Sequence, residues 1–299
     1  MVGLNHFKRT QLMSSKIFDC FIFNNEDLLL DIRLNTLDKY VDYFVIVESR
    51  FLHSGKEKKN FFNIKNYTKF EKKIIYIFLD KIPNSIKNYF SSILDKPLSP
   101  TISWQYENYQ RNQIFRGISE ASSEDIILIS DVDEIPNLSK LDLRNINHKV
   151  VSFKQKFFYY KLNYLSLEQP FWFGTKLCKK KNLKSPQWLR SLKTFKRYPS
   201  YRLDKIFFSK TYEHNCSIIE NGGWHFSWIG NANMIIKKIE STAHTELDQK
   251  EIKDIKNIEA YIDKKRSFVD ESNFKKVDIE TNLPSYISQN REKFSQFLD

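Results

Sequence analysis

The chain has 299 residues, of which 41% are hydrophobic and 28% charged, with 7 Gly and 8 Pro. This composition indicates a folded globular protein and excludes a low-complexity or disordered one. The net charge is +12. No stretch reaches the roughly 18 uncharged apolar residues of a membrane span, and the first residues lack the apolar core of a signal peptide. Three cysteines without CxxC spacing argue against a disulfide framework or a zinc site, so we expect a cytoplasmic protein.

Apolar runs in the first half of the chain predict four buried strands, at 17–23, 43–47, 74–79 and 126–129. Continuous apolar runs favour a parallel sheet that is covered on both faces. Between them lie helical patterns, one after a candidate N-cap at Asn24 and one over 104–119. Strands that alternate with helices predict an α/β fold with a mostly parallel, twisted sheet flanked by helices.

The second half has a different pattern. The aromatic and basic run at 150–165 predicts one or two strands, and 246–268 has the apolar spacing of a helix, so we expect a helical C-terminal part. Residues 149–210 contain sixteen basic and two acidic residues. Such a segment either attracts an anionic partner, such as a membrane surface or an acidic glycan, or coats the surface with solvated lysines.

Polar residues follow each of the four predicted strands, and these are Asn24, Glu48, Asp80 and Asp131. The carboxyl ends of parallel strands meet at one edge of a sheet, where ligands bind. The motif Asp131-Val132-Asp133-Glu134 stands at one of these ends. In extended geometry Asp131 and Asp133 point to the same side and can share a cation. Carboxylates suit Mg²⁺ or Mn²⁺, which also bind a diphosphate.

Several segments together resemble glycosyltransferase family 17, the family of the β-1,4-mannosyl-glycoprotein β-1,4-N-acetylglucosaminyltransferases. They are EDLLLDIRLNTL (26–37), VDYFVIVESRFLHSGKEK (41–58), KIIYIFLD (73–80), ISDVDEIP (129–136), GGWHFSW (222–228) and LPSYISQNREKFSQFL (283–298). The resemblance implies a GT-A fold, a nucleotide-sugar donor, which is UDP-N-acetylglucosamine in characterised members, and transfer with inversion. We expect a glycan or lipid-linked oligosaccharide as the acceptor.

Given this resemblance, we expect Asp131 and Asp133 to hold Mn²⁺ or Mg²⁺ together with the donor diphosphate. Arg111, in the helix before the motif, is a candidate to stabilise the leaving diphosphate. Glu48 is placed to accept hydrogen bonds from ribose or uracil. The alternative for Arg111 is a surface salt bridge, and for Glu48 a loop carboxylate.

Inversion requires a general base that takes the proton of the acceptor hydroxyl. His225 is one candidate, and it is also a candidate third ligand of the metal. It follows a pair of glycines and lies between Trp224 and Trp228. Glu134 adjoins the two aspartates and is either a base or an anchor for them. A packed core histidine is the remaining alternative for His225.

The chain organisation that we expect is a flexible tail at 1–15 and one domain at 16–299. Within it, 16–148 would bind the donor and 149–299 the acceptor, with peripheral contact to the inner membrane face through 149–210. The competing functions are a metal-dependent nuclease and a basic polyanion-binding module, which the acidic motif and the basic segment also fit. The resemblance favours the transferase, without a nucleic-acid partner.

Overall fold

The structure is a computed structural model that describes residues 15–53, 55–58, 61–84, 86, 100–194, 198–199, 201–204, 209–241, 247, 249 and 252–299. The tail expected at 1–15 therefore lies outside the described residues, apart from Ser15. In the described part, no helix is both long and apolar enough to cross a bilayer.

The described strands are, in chain order, β1 Ile17–Phe23, β2 Tyr43–Ser49, β3 Ile74–Leu79, β4 Ile126–Asp131, β5 Glu134–Pro136, β6 Val150–Phe153, β7 Gln155–Tyr159, β8 Tyr164–Ser166, β9 Phe171–Trp172, β10 Lys176–Lys179, β11 Cys216–Ile219, β12 Gly223–Ser227 and β13 Phe274–Lys276. The α-helices are α1 Asp27–Leu37, α2 Pro100–Asn112, α3 Ile114–Gly117, α4 Pro186–Ser191, α5 Ala232–Ser241, α6 Ile255–Asp263, α7 Ile279–Asn282 and α8 Ser285–Gln289.

The first sheet has seven strands in the order β11-β6-β10-β4-β1-β2-β3. The four strands predicted from apolar runs are adjacent and parallel, in the order β4-β1-β2-β3. β10 is antiparallel to both β4 and β6, and β11 is parallel to β6. The predicted α/β class is therefore confirmed, although this sheet is mixed because β10 is antiparallel to both of its neighbours. β2 and β4 each extend two residues beyond their predicted ends.

Both faces of this sheet are covered, which explains why its central strands are mostly apolar. Alternate residues of β1 pack on opposite faces. Phe21 joins a core formed with α1 and with the C-terminal segment that contains Ile287 and Phe294. Cys20 joins a second core on the other face, with Ile114 of α3 and other residues.

A second sheet, which the sequence patterns did not predict, lies after the acidic motif. Its strand order is β13-β8-β7-β12-β5, with β9 paired to β7. All of its pairings are antiparallel except β7 with β12. The run at 150–165 forms three strands instead of one or two, because β6 joins the first sheet whereas β7 and β8 join the second.

The helices differ from the predictions mainly at their ends. Asn24 is not the N-cap of α1, because the cap is Glu26, whose carboxylate accepts a hydrogen bond from the Asn24 backbone N–H at 2.7 Å. The helical pattern at 104–119 corresponds to α2 and α3, which are separated at Gln113. The C-terminal part contains the short helices α6 to α8, and α6 covers less of the chain than the predicted helix at 246–268.

Candidate active site

The acidic motif connects the two sheets. β4 ends at Asp131 in the first sheet, and after a two-residue turn β5 begins at Glu134 in the second. β12 pairs with β5, so that His225 lies opposite Glu134. β12 also pairs with β7 on its other side, where Phe157 lies opposite His225. Strand pairing therefore brings together two predicted site residues, Glu134 and His225, that are about ninety positions apart in the sequence.

Asp131 is held between two arginines. Its Oδ1 accepts a hydrogen bond from Nη2 of Arg111 at 2.9 Å, and its Oδ2 accepts one from Nη2 of Arg190 at 2.8 Å. Burial alone would raise its pKa, but the charges of Arg190 and Arg111 hold the pKa of Asp131 well below its ordinary value. Its side chain is nevertheless 31% exposed, so the carboxylate remains accessible.

Asp133 contacts a different set of groups. Its Oδ2 accepts a hydrogen bond from Nζ of Lys238 on α5 at 3.0 Å, and its Oδ1 lies 3.8 Å from Nε2 of His225. The backbone is not extended through this motif, because β4 ends at Asp131 and residues 132–133 form a turn. A cation shared by Asp131 and Asp133 stays a prediction. The two carboxylates are neighbours in the turn, but each is neutralised by its own cations.

Glu134 is an anchor of the turn. Its side chain is 1% exposed. Oε1 accepts hydrogen bonds from Nε1 of Trp172 at 2.6 Å and from Nη2 of Arg190 at 2.7 Å, and Oε2 accepts one from the Asp131 backbone N–H at 3.0 Å. Gly174 leaves the space for this carboxylate, since a Cβ there would collide with it. Of the two roles predicted for Glu134, this geometry favours the anchor.

His225 lies between aromatic rings. The Phe157 ring stacks on it with centroids 4.7 Å apart and an interplanar angle of 5°, and the Trp172 ring lies 5.2 Å away. Burial lowers the pKa of His225 although Asp133 and Glu134 are near, so the imidazole is neutral at neutral pH. Its Nδ1 is buried and makes no hydrogen bond with the described residues.

Glu48 lies apart from this cluster and is fully buried. Its Oε1 accepts a hydrogen bond from Nζ of Lys58 at 2.5 Å, and its Oε2 accepts two, from the Phe62 N–H at 2.9 Å and the Tyr76 hydroxyl at 2.6 Å. The carboxylate therefore fixes the chain that follows β2. A contact with ribose or uracil, as predicted for Glu48, would require the groups that bury this carboxylate to move.

Arg111 is where the sequence predicted it, whereas Arg190 and Lys238 were not predicted. Arg111 is almost completely buried and binds Glu107 and Gln187 as well as Asp131. Arg190 lies on α4 and Lys238 on α5. Neither residue stands in a recognisable local motif, so the long-range pairing that brings them to the acidic turn could not be read from the sequence.

The donor set fits a hard divalent ion in its chemistry, because Asp131 and Asp133 offer carboxylate oxygens beside the imidazole of His225. Among the described residues, no three His, Cys, Asp or Glu side chains already converge on one point as a complete metal cage. Arg111, Arg190 and Lys238 provide the positive charge around the two aspartates in this structure.

The basic segment at 149–210 is divided among separate contacts. Some of its lysines form ion pairs elsewhere on the molecule, namely Lys154 with Glu220, and Lys179 and Lys181 with Glu124. Lys176 is buried, and Arg190 belongs to the acidic turn. Exposed lysines of the segment within the described residues are Lys149, Lys181, Lys184, Lys193 and Lys210, and of these Lys181 is the one paired with Glu124. Only some of the basic residues of this segment are therefore exposed and unpaired at the surface.

Comparisons with known proteins agree with the resemblance. The family model described as glycosyltransferase family 17 matches residues 3–299. A β-1,4-mannosyl-glycoprotein 4-β-N-acetylglucosaminyltransferase of Rattus norvegicus is 26% identical over 129 residues. That match covers 40% of this chain and 22% of the length of the rat protein.

Proposed function

The chain belongs to glycosyltransferase family 17, and we propose that it transfers N-acetylglucosamine from UDP-N-acetylglucosamine, with inversion, to a hydroxyl of a glycan or lipid-linked oligosaccharide. The observation that carries this proposal is the acidic turn at the carboxyl end of β4, bordered by Arg111, Arg190 and Lys238. Its position at the edge of a mostly parallel sheet is that of the donor site in the GT-A fold, which we propose for the chain.

In the proposed reaction, the acceptor hydroxyl gives its proton to a base and its oxygen bonds to the anomeric carbon of the donor. The bond from that carbon to the diphosphate oxygen breaks, and its electron pair leaves with UDP. Negative charge therefore grows on the diphosphate. Arg111, Arg190 and Lys238 are fixed cations beside this position and stabilise that charge without needing to reorganise.

Asp131 and Asp133 are the residues that would hold Mn²⁺ or Mg²⁺. When bound, the ion supplies a Lewis acid for the diphosphate oxygens. Glu134 holds the Asp131 backbone N–H and Arg190, and so keeps one carboxylate and its cation in register. Trp172 and Phe157 cover His225 and limit the access of water.

We propose His225 as the base. A histidine that donates its second ring N–H to an acceptor is the usual pattern of a metal ligand, and Nδ1 of His225 has no such acceptor among the described residues. Its lowered pKa supports a neutral ring that accepts a proton. Glu134 supports this role less well, because both of its oxygens already accept hydrogen bonds.

The test is the binding of UDP and Mn²⁺ by calorimetry to the wild type, to Asp133→Asn and to a matched control, Asp142→Asn. Asp142 is an exposed aspartate that lines a cavity beside Ile17, at the start of β1. We expect Mn²⁺-dependent UDP binding in the wild type and the control, and its loss in Asp133→Asn. Equal binding of UDP by all three proteins, with or without Mn²⁺, would contradict the proposed site.

A further inference from the structure

A buried arginine lies beneath the acidic turn. Arg33 is in the middle of α1, and neither its side chain nor that of Asp19 on β1 is exposed to solvent. Nε and Nη2 of Arg33 donate to the two carboxylate oxygens of Asp19 at 2.7 and 2.6 Å, which is the bidentate geometry of a strong pair. The guanidinium also covers the Phe21 ring, 4.5 Å from its centroid.

The rest of the guanidinium binds the acidic turn itself. Nη2 donates to the Ser130 hydroxyl at 2.6 Å. Nη1 faces three backbone carbonyls of the turn, those of Asp131 at 3.0 Å, Val132 at 3.3 Å and Glu134 at 3.0 Å. Buried carbonyls that leave a strand ladder need a donor, and here one nitrogen serves three of them.

We propose that Arg33 is a positioning residue for the transfer reaction. By holding the backbone of the turn from α1, with its charge balanced by Asp19, it fixes where Asp131 and Asp133 project. This inference rests on the proposed function of these two aspartates. Arg33 binds the backbone of the turn, whereas the carboxylates of Asp131 and Asp133 contact Arg111, Arg190 and Lys238.

The side chain must be an arginine for a geometric reason. A planar guanidinium has five N–H donors in a fixed fork, whereas a lysine ammonium is a point charge with three donors on a flexible stem. A lysine at position 33 therefore keeps the charge opposite Asp19 but cannot bind Asp19, Ser130 and the three carbonyls together. Arg33→Lys separates the holding of the turn from the neutralisation of Asp19.

The experiment compares Arg33→Lys and Ser130→Ala with a control, Asp125→Ala. Asp125 is buried just before β4, at its other end, and accepts hydrogen bonds from the backbone N–H groups of Lys16 and Ser122. The control therefore loses partly buried hydrogen bonds beside the other end of the same strand, without touching the turn. Each protein is measured for Tm, for kcat and KM with UDP-N-acetylglucosamine, and for hydrogen–deuterium exchange of the segment 129–136.

We expect Arg33→Lys to lower kcat by about 10-fold to 100-fold, the effect of a small misplacement of reacting groups, with KM within about threefold. Ser130→Ala should also lower kcat, but by a smaller factor. Both should exchange faster at 129–136, whereas Asp125→Ala lowers Tm but keeps kcat and the exchange of that segment. If Arg33→Lys does not fold, Ser130→Ala carries the same comparison.

Two results would overturn the inference. One is a kcat within about twofold of the wild type in a folded Arg33→Lys or Ser130→Ala, which corresponds to no loss of transition-state stabilisation. The other is an equal loss of kcat in Asp125→Ala, which would make the effect one of general stability. A wild type that turns over no nucleotide sugar would instead overturn the proposed function, and the exchange data would still decide whether Arg33 holds the turn.

Discussion

His225 is the residue whose chemical role can be separated most cleanly by substitution. If it is the base, His225→Ala should reduce transfer by about 10² to 10⁴, the usual contribution of a general base, while the affinities for Mn²⁺ and UDP survive. The measurement pairs transfer kinetics with calorimetry. The control is His214→Ala, because His214 is also a histidine but its side chain is 63% exposed. A loss of Mn²⁺ affinity in His225→Ala would identify a metal ligand, and unchanged transfer would identify a packing residue.

Lys176, beneath the site, makes stability depend on pH. Its ammonium donates to the backbone carbonyls of Phe173, Gly174 and Arg190. Burial, together with the charge of Arg190, lowers the pKa of Lys176 to about 7, although Glu134 and Asp131 oppose the shift. In the unfolded chain a lysine keeps its proton up to a pKa of about 10.4. Between these values the unfolded state binds more protons, so the contribution of Lys176 to stability rises with pH.

We expect Lys176→Met to remove this dependence. The difference in free energy of unfolding, variant minus wild type, should be largest at pH 6 to 7. It should then fall by about 1 kcal/mol per pH unit as the pH rises to 9. Urea unfolding of both proteins at pH 6, 7, 8 and 9 measures the difference. A difference that does not change with pH would show that Lys176 keeps its ordinary pKa.

The residues that the sequence could predict are those with a local signal. Asp131 and Asp133 follow an apolar strand, and His225 stands in a distinctive aromatic segment. Arg33 lies within the segment 26–37 that resembles the family, but the sequence assigns it no role, because its partners are up to 101 positions away in the chain. The position of Glu48 after a predicted strand made it a candidate, but the sequence could not show that Lys58 and Tyr76 bind and cover its carboxylate.

At the scale of elements, the prediction of membrane contact through the basic segment must be tested on lysines that do not form ion pairs within the fold. Lys179 and Lys181 bind Glu124, and Lys180 donates its backbone N–H to the Asp125 carbonyl. Charge reversal there would disturb the junction of β4 and β10. Lys149, Lys184 and Lys193 are exposed and test the surface itself.

Reversal of Lys149, Lys184 and Lys193 to Glu should weaken binding to vesicles that contain anionic lipid by about a hundredfold, since each lysine near such a surface contributes about 1 kcal/mol. UDP affinity should not change. The control reverses Lys256, Lys264 and Lys275, which are exposed outside the segment. Equal losses in both triple variants would indicate net charge alone, and no loss in either would leave the lysines as a solubilising surface.

The elements themselves were predictable where the pattern was local and strong. The runs at 17–23 and 74–79 are strands over those bounds, because a short, nearly continuous run of large apolar residues favours a strand. The sequence patterns did not predict the second sheet, because its strands are short and pair with strands far away in the chain. β5, for example, pairs with β12. The helix predicted at 246–268 was too long, since α6 begins only at Ile255, after its cap Asp254.

At the scale of the whole molecule, the two halves of the chain are interleaved. β6, β10 and β11 come from 149–299 but lie in the same sheet as β1 to β4 from 16–148. The acidic turn stands where the two sheets meet, and it receives Arg111 from the first half and Arg190, His225 and Lys238 from the second. The division into a donor half and an acceptor half stays a prediction about binding, because the fold does not separate the chain at 148.

The central claim is that this acidic turn transfers a sugar from a nucleotide donor. The most direct measurement is the release of nucleoside diphosphate from a panel of nucleotide sugars, with Mn²⁺ and without an acceptor, by the wild type and by Asp133→Asn. We predict slow release from UDP-N-acetylglucosamine by the wild type, little from the other donors, and none by Asp133→Asn or in EDTA. Release from no donor, or release that Asp133→Asn and EDTA leave unchanged, would contradict the account.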